Sequence, residues 1–367
     1  KMDKFGFVKL KDVCNINMGQ SPDSDSYNDN EDGIPFFQGN ADFGEKYPTT
    51  RKWCNAPTKI AHAEDILISV RAPIGALNYA KEECCIGRGL AAITPNQDKV
   101  SSGFIYWLLK GKHKELNLQG TGSTFKAISR KVLEEIKVPD IELKKQTELA
   151  GSLEKIYSVI QLRKQQLEEL DILIKARFVE MFGDPIQNEK NWSRRSLEQL
   201  CHSIVDCPHS TPNYISEDTG FMCIRTSVVK KNKILWDEIE YIVEDEFNQR
   251  IQRKRPEKGD IVYTREGAIL GIAAIIDRNC NVALGQRSML LSPDSSVCTS
   301  EFICTAMNSD SFLSNALRGI SGSASPHINV GDIKSFEMIA PPLELQRKFS
   351  EFNSQVDKLK VEVQSIF

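Results

Sequence analysis

Residues 65–75 read DILISVRAPIG and residues 260–271 read DIVYTREGAILG. Each starts on Asp, continues as a short run rich in apolar and β-branched residues, and closes on Gly, the pattern of a buried strand running into a turn. The pair is not isolated. GIPFFQGN (33–40) matches GFMCIRTS (220–227), IGRGLAAITP (86–95) matches LGQRSMLLSP (284–293), SGFIYW (102–107) matches SEFICT (300–305), and GSTFKAI (122–128) matches GSASPHI (322–328), all in the same order. The offset between partners drifts only from 187 to 200 residues. A period this long is not that of a solenoid; it is that of a domain duplicated and since diverged.

Within each copy, strand-like runs separated by Gly and Pro alternate with short helices expected at 103–110 and 301–308, so each copy reads as a mixed α/β domain. Gly75 and Gly271 fall at matching places and are read as turn residues. A different pattern follows each copy. Leu149, Leu153, Ile156, Ile160, Leu167, Leu170 and Ile174 recur at spacings of three and four, with Arg163 and Arg177 in further seam positions. Phe349, Phe352, Val356, Leu359, Val363 and Ile366 do the same after the second copy. These are heptads. The first helix, expected from Leu143 to Phe182, would span roughly 60 Å at 1.5 Å per residue, and Gly183, Asp184 and Pro185 stop it. The second heptad run covers about 24 residues before Phe367 against about 40 in the first, which leaves two alternatives, a trimmed C-terminus or a lopsided coiled coil.

Composition bounds the class. At 367 residues with 40% hydrophobic and 26% charged residues, the chain is too long for one ordinary core and is neither disordered nor fibrous. The absence of a long apolar run and of a signal peptide leads to the expectation of a soluble, cytoplasmic protein. Ten cysteines without a CxxC pair read as reduced interior residues, and five scattered histidines offer no paired-ligand spacing, so no metal is expected. A net charge of −3, from 47 basic and 50 acidic residues, gives no global field for a polyanion but leaves local basic surfaces open.

Two similar domains, each leading into a similar helix, are most simply related by an approximate two-fold axis, which makes the helices antiparallel and turns the coiled coil into a ruler between two unlike heads. Duplex DNA, with its local dyad and its repeat of roughly 34–36 Å, is one target for such an object. An adaptor with duplicated peptide-binding domains and no DNA binding is another.

The segment GSTFKAISRKVLEEIKVPDIELKKQ (122–146), the KARFVEMFGDP run (175–185), the APPLELQ run (340–346) and the domain-helix-domain-helix order resemble the specificity subunit of type I restriction-modification systems, the HsdS family, over essentially the whole chain. The resemblance implies two target-recognition domains, at 1–142 and 185–342, that each read half of a bipartite DNA site in the major groove. They are separated by helices at 143–184 and 343–367 that pair as an antiparallel coiled coil and dock two modification subunits. Those partners, adenine-N6 methyltransferases, use S-adenosylmethionine; a restriction subunit, in systems that have one, adds ATP and Mg²⁺ chemistry. No cofactor is expected in this chain, and it is expected to be non-catalytic. Consistent with that, there is no phosphate loop (the glycines of 120–124 have the wrong spacing), no Asn-Pro-Pro-aromatic tetrapeptide (Asn55-Ala-Pro-Thr is the closest string) and no GxSxG elbow.

Major-groove readout favours Arg, Lys, Asn, Gln, Ser and Thr in loops. The candidates are Gln20, Ser21, Arg51, Lys52, Arg71 and Arg88 in the first copy, and Arg225, Lys230, Lys231, Lys233, Arg265 and Arg287 in the second. The loop 207–213 is polar, and the densest positive run, Arg250, Arg253, Lys254, Arg255 and Lys258, is either a phosphate clamp or plain solvated surface. Phe36, Phe37, Trp107 and Trp236 are read as core, with no base-flipping role.

Overall fold

The computed structural model describes residues 6–121, 126–318 and 326–364, and the chain divides into two compact units, Lys1–Gln161 and Leu162–Phe367. The division falls inside one continuous helix, Leu143–Phe182, whose bounds are those expected from the heptad pattern and its stop signal. At its end Gly183 takes a left-handed φ of 76° and its N–H bonds the carbonyl of Val179 (2.8 Å), while the Trp192 indole donates to the otherwise open carbonyl of Phe182 (2.9 Å).

The duplication is explicit in the sheets. In the first unit a four-stranded antiparallel sheet runs in the order Cys14–Met18, Leu90–Pro95, Ile66–Ser69, Leu77–Tyr79; in the second the order is Cys201–Asp206, Ser288–Pro293, Ile261–Thr264, Ala273–Ile275. Registers correspond too: Ile93 pairs with Ile16 and Ile66, and Leu291, 198 positions on, pairs with Ile204 and Ile261. The central strands are buried on both faces, which is why DILIS and DIVYT read as continuous apolar runs rather than as alternation.

The period of two then sorts side chains between two cores. Ile66, Ile68 and Ile93 pack with Ile105 and Leu109 of the helix Ser102–Gly111, whereas Leu67, Leu90 and Ala92 pack with Phe37 and Ile86 of a second sheet. In the second unit Ile261, Tyr263 and Leu291 face Phe302 and Ile303 of the helix Ser300–Met307, and Val262 and Leu290 face Ile224 and Leu284. Each unit is therefore a four-stranded sheet held between a helical layer and a second sheet, of five short strands in the first unit and three in the second. That second sheet contains the same parallel pairing in both copies: Ile34–Phe37 beside Cys84–Ile86, and Met222–Ile224 beside Val282–Leu284. Two-stranded ribbons, Gly6–Lys9 with Lys137–Asp140 and Arg194–Ser196 with Glu337–Ile339, return each copy to its starting edge before the long helix begins.

One buried side chain fixes the head to the helix in each copy. Gln146 and Gln346, only 2% and 1% exposed, accept from the backbone N–H of Ser101 (2.9 Å) and Thr299 (3.0 Å), where the short helices start. They donate back to the carbonyls of Ile141 and Pro341 (2.8 Å each). One turn on, a Cβ on Gly103 would lie 3.2 Å from that of Ala150, a close steric contact; at the same place in the second copy Ser350 donates to Glu301 (2.8 Å).

The helix seam is realised over part of its expected length. In the second unit the helix Leu343–Gln364 runs antiparallel to the latter half of Leu143–Phe182, because Phe349 meets Phe182 (5.6 Å between rings), Phe352 lies under Arg177 (5.7 Å) and Lys360 pairs with Asp171 (2.8 Å). Ile174, Phe178, Phe182, Phe349 and Val356 are buried there, with Leu170 and Phe352 packed alongside; Leu167, Ile160 and Val363 are half-buried. The expectation for Leu149, Leu153, Ile156 and Leu359 is corrected: they are 42, 42, 57 and 48% exposed. The head in the first unit instead takes Gln146, Ala150 and Tyr157, the last packed edge-on to Trp107 at 5.3 Å. Ile366 lies outside the described residues, as do 122–125 of the GSTFKAI word and 322–325 of GSASPHI.

Candidate nucleic-acid interface

The parallel strand pair in each unit ends in a tight backbone junction that gathers the polar candidates. In the first unit the Gly87 N–H bonds the carbonyl of Phe37 (2.8 Å), that of Gly89 the carbonyl of Gln38 (3.2 Å), and that of Gly19 the carbonyl of Leu90 (2.9 Å). Cβ atoms at Gly19 and Gly89 would meet backbone oxygens at 2.2 and 2.4 Å, so only glycine permits this approach. The junction brings together Gln20, Ser21, Arg88 and Gln38, a residue the sequence reading did not select. Gln38 Nε2 donates to Ser21 Oγ (2.9 Å), and the Arg88 N–H reaches the same hydroxyl (3.4 Å). Arg71 follows Val70, whose N–H bonds Gly89 (2.9 Å), so it stands beside the same turn. Gln20, Gln38, Arg71 and Arg88 are exposed, and among the described residues Arg51, Arg71 and Arg88 have no carboxylate within ion-pair distance. Lys52 differs: it lies over Tyr27 (5.5 Å) near Asp29 (3.6 Å), while its carbonyl accepts from Phe36.

The second unit repeats the junction with different chemistry. Gly285 bonds the carbonyl of Ile224 (2.8 Å), Arg225 stands where Gln38 does, and Gln286 takes the place of Arg88, donating to the carbonyl of His209 and accepting from Thr211 Oγ1 (3.1 Å). Arg287, with a left-handed φ of 72°, replaces Gly89 and approaches Glu266 at 3.9 Å. Arg225 pairs through Nη1 with Glu240, and its guanidinium lies 4.6 Å from the centre of the Tyr214 ring. Tyr214 is seated over Gly285, where a Cβ would come within 2.7 Å of its hydroxyl; burial holds its phenol above the ordinary value.

Two expectations are corrected here. Arg265 is 7% exposed, and its Nε and Nη2 form a two-pronged bond to Asp206 (2.8 and 3.1 Å), so its fork is consumed inside the protein. Arg250, counted in the basic run, is also buried at 7%. It bonds the carbonyls of Leu284 (3.3 Å) and Ser210 (2.8 Å) and pairs with Glu246 (3.2 Å), fastening the loop 207–213 to the strand behind it.

Elsewhere in that run, Lys254 pairs with Glu257 (3.0 Å), Arg255 donates to Asn281 (2.6 Å), and Arg253 and Lys258 are exposed. Lys230 and Lys233 pair across a hairpin turned at Asn232 (φ 64°); Lys230 donates to the Ser227 carbonyl (2.8 Å), Lys231 pairs with Asp310 (2.9 Å), and Lys233 is exposed. Phe36 and Phe37 are buried, as expected. Trp107 and Trp236 are only half-buried, the latter covered by Arg278 at 4.5 Å.

Gln146, Gln346, Gln38, Tyr214 and Glu240 escaped the sequence reading. For the first two a signal existed: both stand three residues after the leucines that open the long helices, Leu143 and Leu343, so an identical polar residue persists in a repeat that has otherwise diverged. Among the described residues no group of acidic, His and Cys side chains is arranged to hold a metal, and no helix is long and apolar enough to cross a membrane. All ten cysteines are free thiols.

The sequence model of the type I restriction modification DNA specificity domain matches twice, at residues 2–171 and 189–365. A putative type I restriction enzyme MjaX specificity subunit of Methanocaldococcus jannaschii is 44% identical over 156 residues, 42% of this chain but only 37% of the relative's own length. The EcoBI specificity subunit of Escherichia coli is 20% identical over 97% of this chain and 81% of its own. Among solved structures, a type I restriction-modification S subunit from M. genitalium superimposes with a TM-score of 0.61 over 100% of this chain and 93% of its own, at 13% identity, which is a likeness of fold. With two consecutive matches covering nearly all of its length, the chain belongs to the type I restriction modification DNA specificity domain family.

Proposed function

We propose that this chain is the address-reading subunit of a type I restriction-modification assembly. Each unit contacts one half of a bipartite, asymmetric duplex site through the major groove, and the long helices dock two modification subunits. The chain is non-catalytic and holds no cofactor. Adenine-N6 methylation and its S-adenosylmethionine belong to the modification partners, and ATP with Mg²⁺ to a restriction subunit in a system that carries one. The proposed arrangement assigns recognition to 1–142 and 185–342 and docking to 143–184 and 343–367, in the cytoplasm.

The observation that carries this reading is a shared frame with unlike faces. Both units end the parallel strand pair on a matching glycine, Gly87 and Gly285, yet Gln38, Ser21 and Arg88 stand about it in one and Arg225, Gln286 and Arg287 in the other. A duplicated reader of one palindromic sequence would keep the side chains as well as the frame. Unlike side chains on like frames suit two different half-sites, since base identity is read by side-chain donors and acceptors while the backbone sets position.

The test is genome-wide mapping of N6-methyladenine in cells with and without this chain, its modification partner being present in both. A split motif that appears only with the chain is the expected result. An unchanged methylome, together with no salt-sensitive duplex binding by the purified assembly, overturns the proposal in favour of a protein-binding adaptor.

A further inference from the structure

The arginines of the second unit are not equivalent, and the difference lies in which edge of each guanidinium is in use. Arg265 commits its Nε/Nη2 edge to Asp206 and is buried. Arg225 commits only Nη1, to Glu240, and leaves Nε and Nη2, the same two-pronged edge, without a hydrogen bond among the described residues. Its side chain is 46% exposed and that of Glu240 is 34% exposed, so the pair faces solvent. The guanidinium carbon also lies over the Tyr214 ring, 4.6 Å from its centre, and Tyr214 is itself seated on Gly285 of the junction. A flat donor fork held from two sides and with one free edge matches the O6/N7 edge of guanine in the major groove.

Glu240 adds a second property. A free arginine at a DNA surface binds any phosphate, but one with a carboxylate at its shoulder presents a negative charge to an approaching phosphate and keeps its attraction for a neutral base edge. We infer that Tyr214, Arg225 and Glu240 form a guanine-reading unit, Arg225 touching the base and Tyr214 and Glu240 acting as positioning residues that deny Arg225 to the phosphate backbone. This inference rests on the DNA-reading role proposed above and names the base class that the second head recognises. The first unit contrasts with it, since Arg88 and Arg71 carry no such carboxylate and are free for phosphate contact.

The experiment uses the full chain copurified with its modification subunits and selects duplexes from a randomised pool at several salt concentrations. The wild type is expected to enrich a motif with one guanine that Arg225→Ala flattens while the other positions persist. The loss at that position is about 5- to 150-fold, the equivalent of 1–3 kcal/mol at 1.4 kcal/mol per tenfold. Arg225→Lys, which keeps the charge and guards against a folding defect, lowers the same position because an ammonium cannot reproduce the fork. Glu240→Gln acts in the opposite sense on background binding: discrimination falls, affinity for random duplex rises, and the salt dependence steepens by about one phosphate contact. If the wild type selects a motif and both Arg225 variants keep every position, or weaken all sequences equally, the guanine assignment is refuted while the DNA-reading role stands. If the wild type enriches no motif, the DNA-reading role fails and takes this assignment with it.

Discussion

Position 349 and position 149 are the same place in the two copies, 200 residues apart, and the fold treats them oppositely. Phe349 is fully buried, with Phe178 and Phe182 edge-on at 5.5 and 5.6 Å; Leu149 is 42% exposed. Truncating Phe349 to Ala removes a ring from the centre of the packing between the helices and the second head, a change that costs about 3–5 kcal/mol for a fully buried Phe. Truncating Leu149 removes side-chain atoms already in contact with water, so the cost is less than about 1 kcal/mol. The chain has two units and one overall unfolding free energy does not describe it, so the assay is urea unfolding followed by peptide-resolved hydrogen exchange, which gives each unit its own midpoint. With m near 2–3 kcal/mol per M for a unit of this size, Phe349→Ala lowers the midpoint of 162–367 by roughly 1–2.5 M on the 3–5 kcal/mol loss and leaves that of 1–161 in place. Leu149→Ala moves neither by more than about 0.5 M on the same slope. Equal shifts for the two variants would refute the view that the helix seam is closed in the second unit and open at the matching site in the first.

Three further outcomes are expected. Gln146→Ala strands a buried N–H and the carbonyls of Ile141 and Lys99, and Gln346→Ala a buried N–H and those of Pro341 and Val297, at a cost of about 1–3 kcal/mol each; loss of protection confined to Ser101 and its helix in one variant, and to Thr299 and its helix in the other, would be seen by hydrogen exchange. The Lys231 hydrogen bond holds the Asp310 carboxyl below its ordinary value. The stabilisation is therefore complete above about pH 4, is lost as pH falls through the depressed value, and, the pair being exposed, amounts to less than about 1 kcal/mol; midpoints of wild type and Asp310→Asn measured against pH should converge at the acid end. Burial pushes the thiols of Cys14, Cys84, Cys201, Cys223 and Cys298 up to about 12, so titration of the folded chain with a thiol reagent at pH 8 should label the half-buried Cys280 ahead of all of these, and all ten cysteines after denaturation.

The internal repeat made the architecture legible because it compares the chain with itself. Strand runs such as DILIS and DIVYT, the short helices and the limits of Leu143–Phe182 all follow from local pattern and stop signals. What local pattern omits is the partner. A heptad states that Leu149, Leu153 and Ile156 form an apolar face without stating what lies against it, so the seam was over-extended toward the first head. Arg265 reads as an available cation because its carboxylate, Asp206, is 59 residues away in sequence. Glu240, 15 residues from Arg225 and reached only across the small sheet, was invisible for the same reason. Gln146 and Gln346 were overlooked because polar residues at the start of a helix are ordinarily solvated.

The contact one turn beyond those glutamines has an evolutionary consequence. Gly103 against Ala150 is a fit of shapes, and Glu301 against Ser350 is a fit of polarity, at a single shared position. Exchanging one partner alone has a cost on either side: a side chain at 103 brings its Cβ to 3.2 Å from that of Ala150, so one of them must shift, and a glycine at 301 removes the charged acceptor of the Ser350 hydroxyl and leaves it only Thr299 Oγ1 (3.0 Å). A change at one side of this joint therefore favours a compensating change at the other, whereas Gln20, Arg71 and Arg88 on the junction loops face solvent and can be replaced one at a time. Such a protein can acquire a new address without rebuilding the mount that carries it.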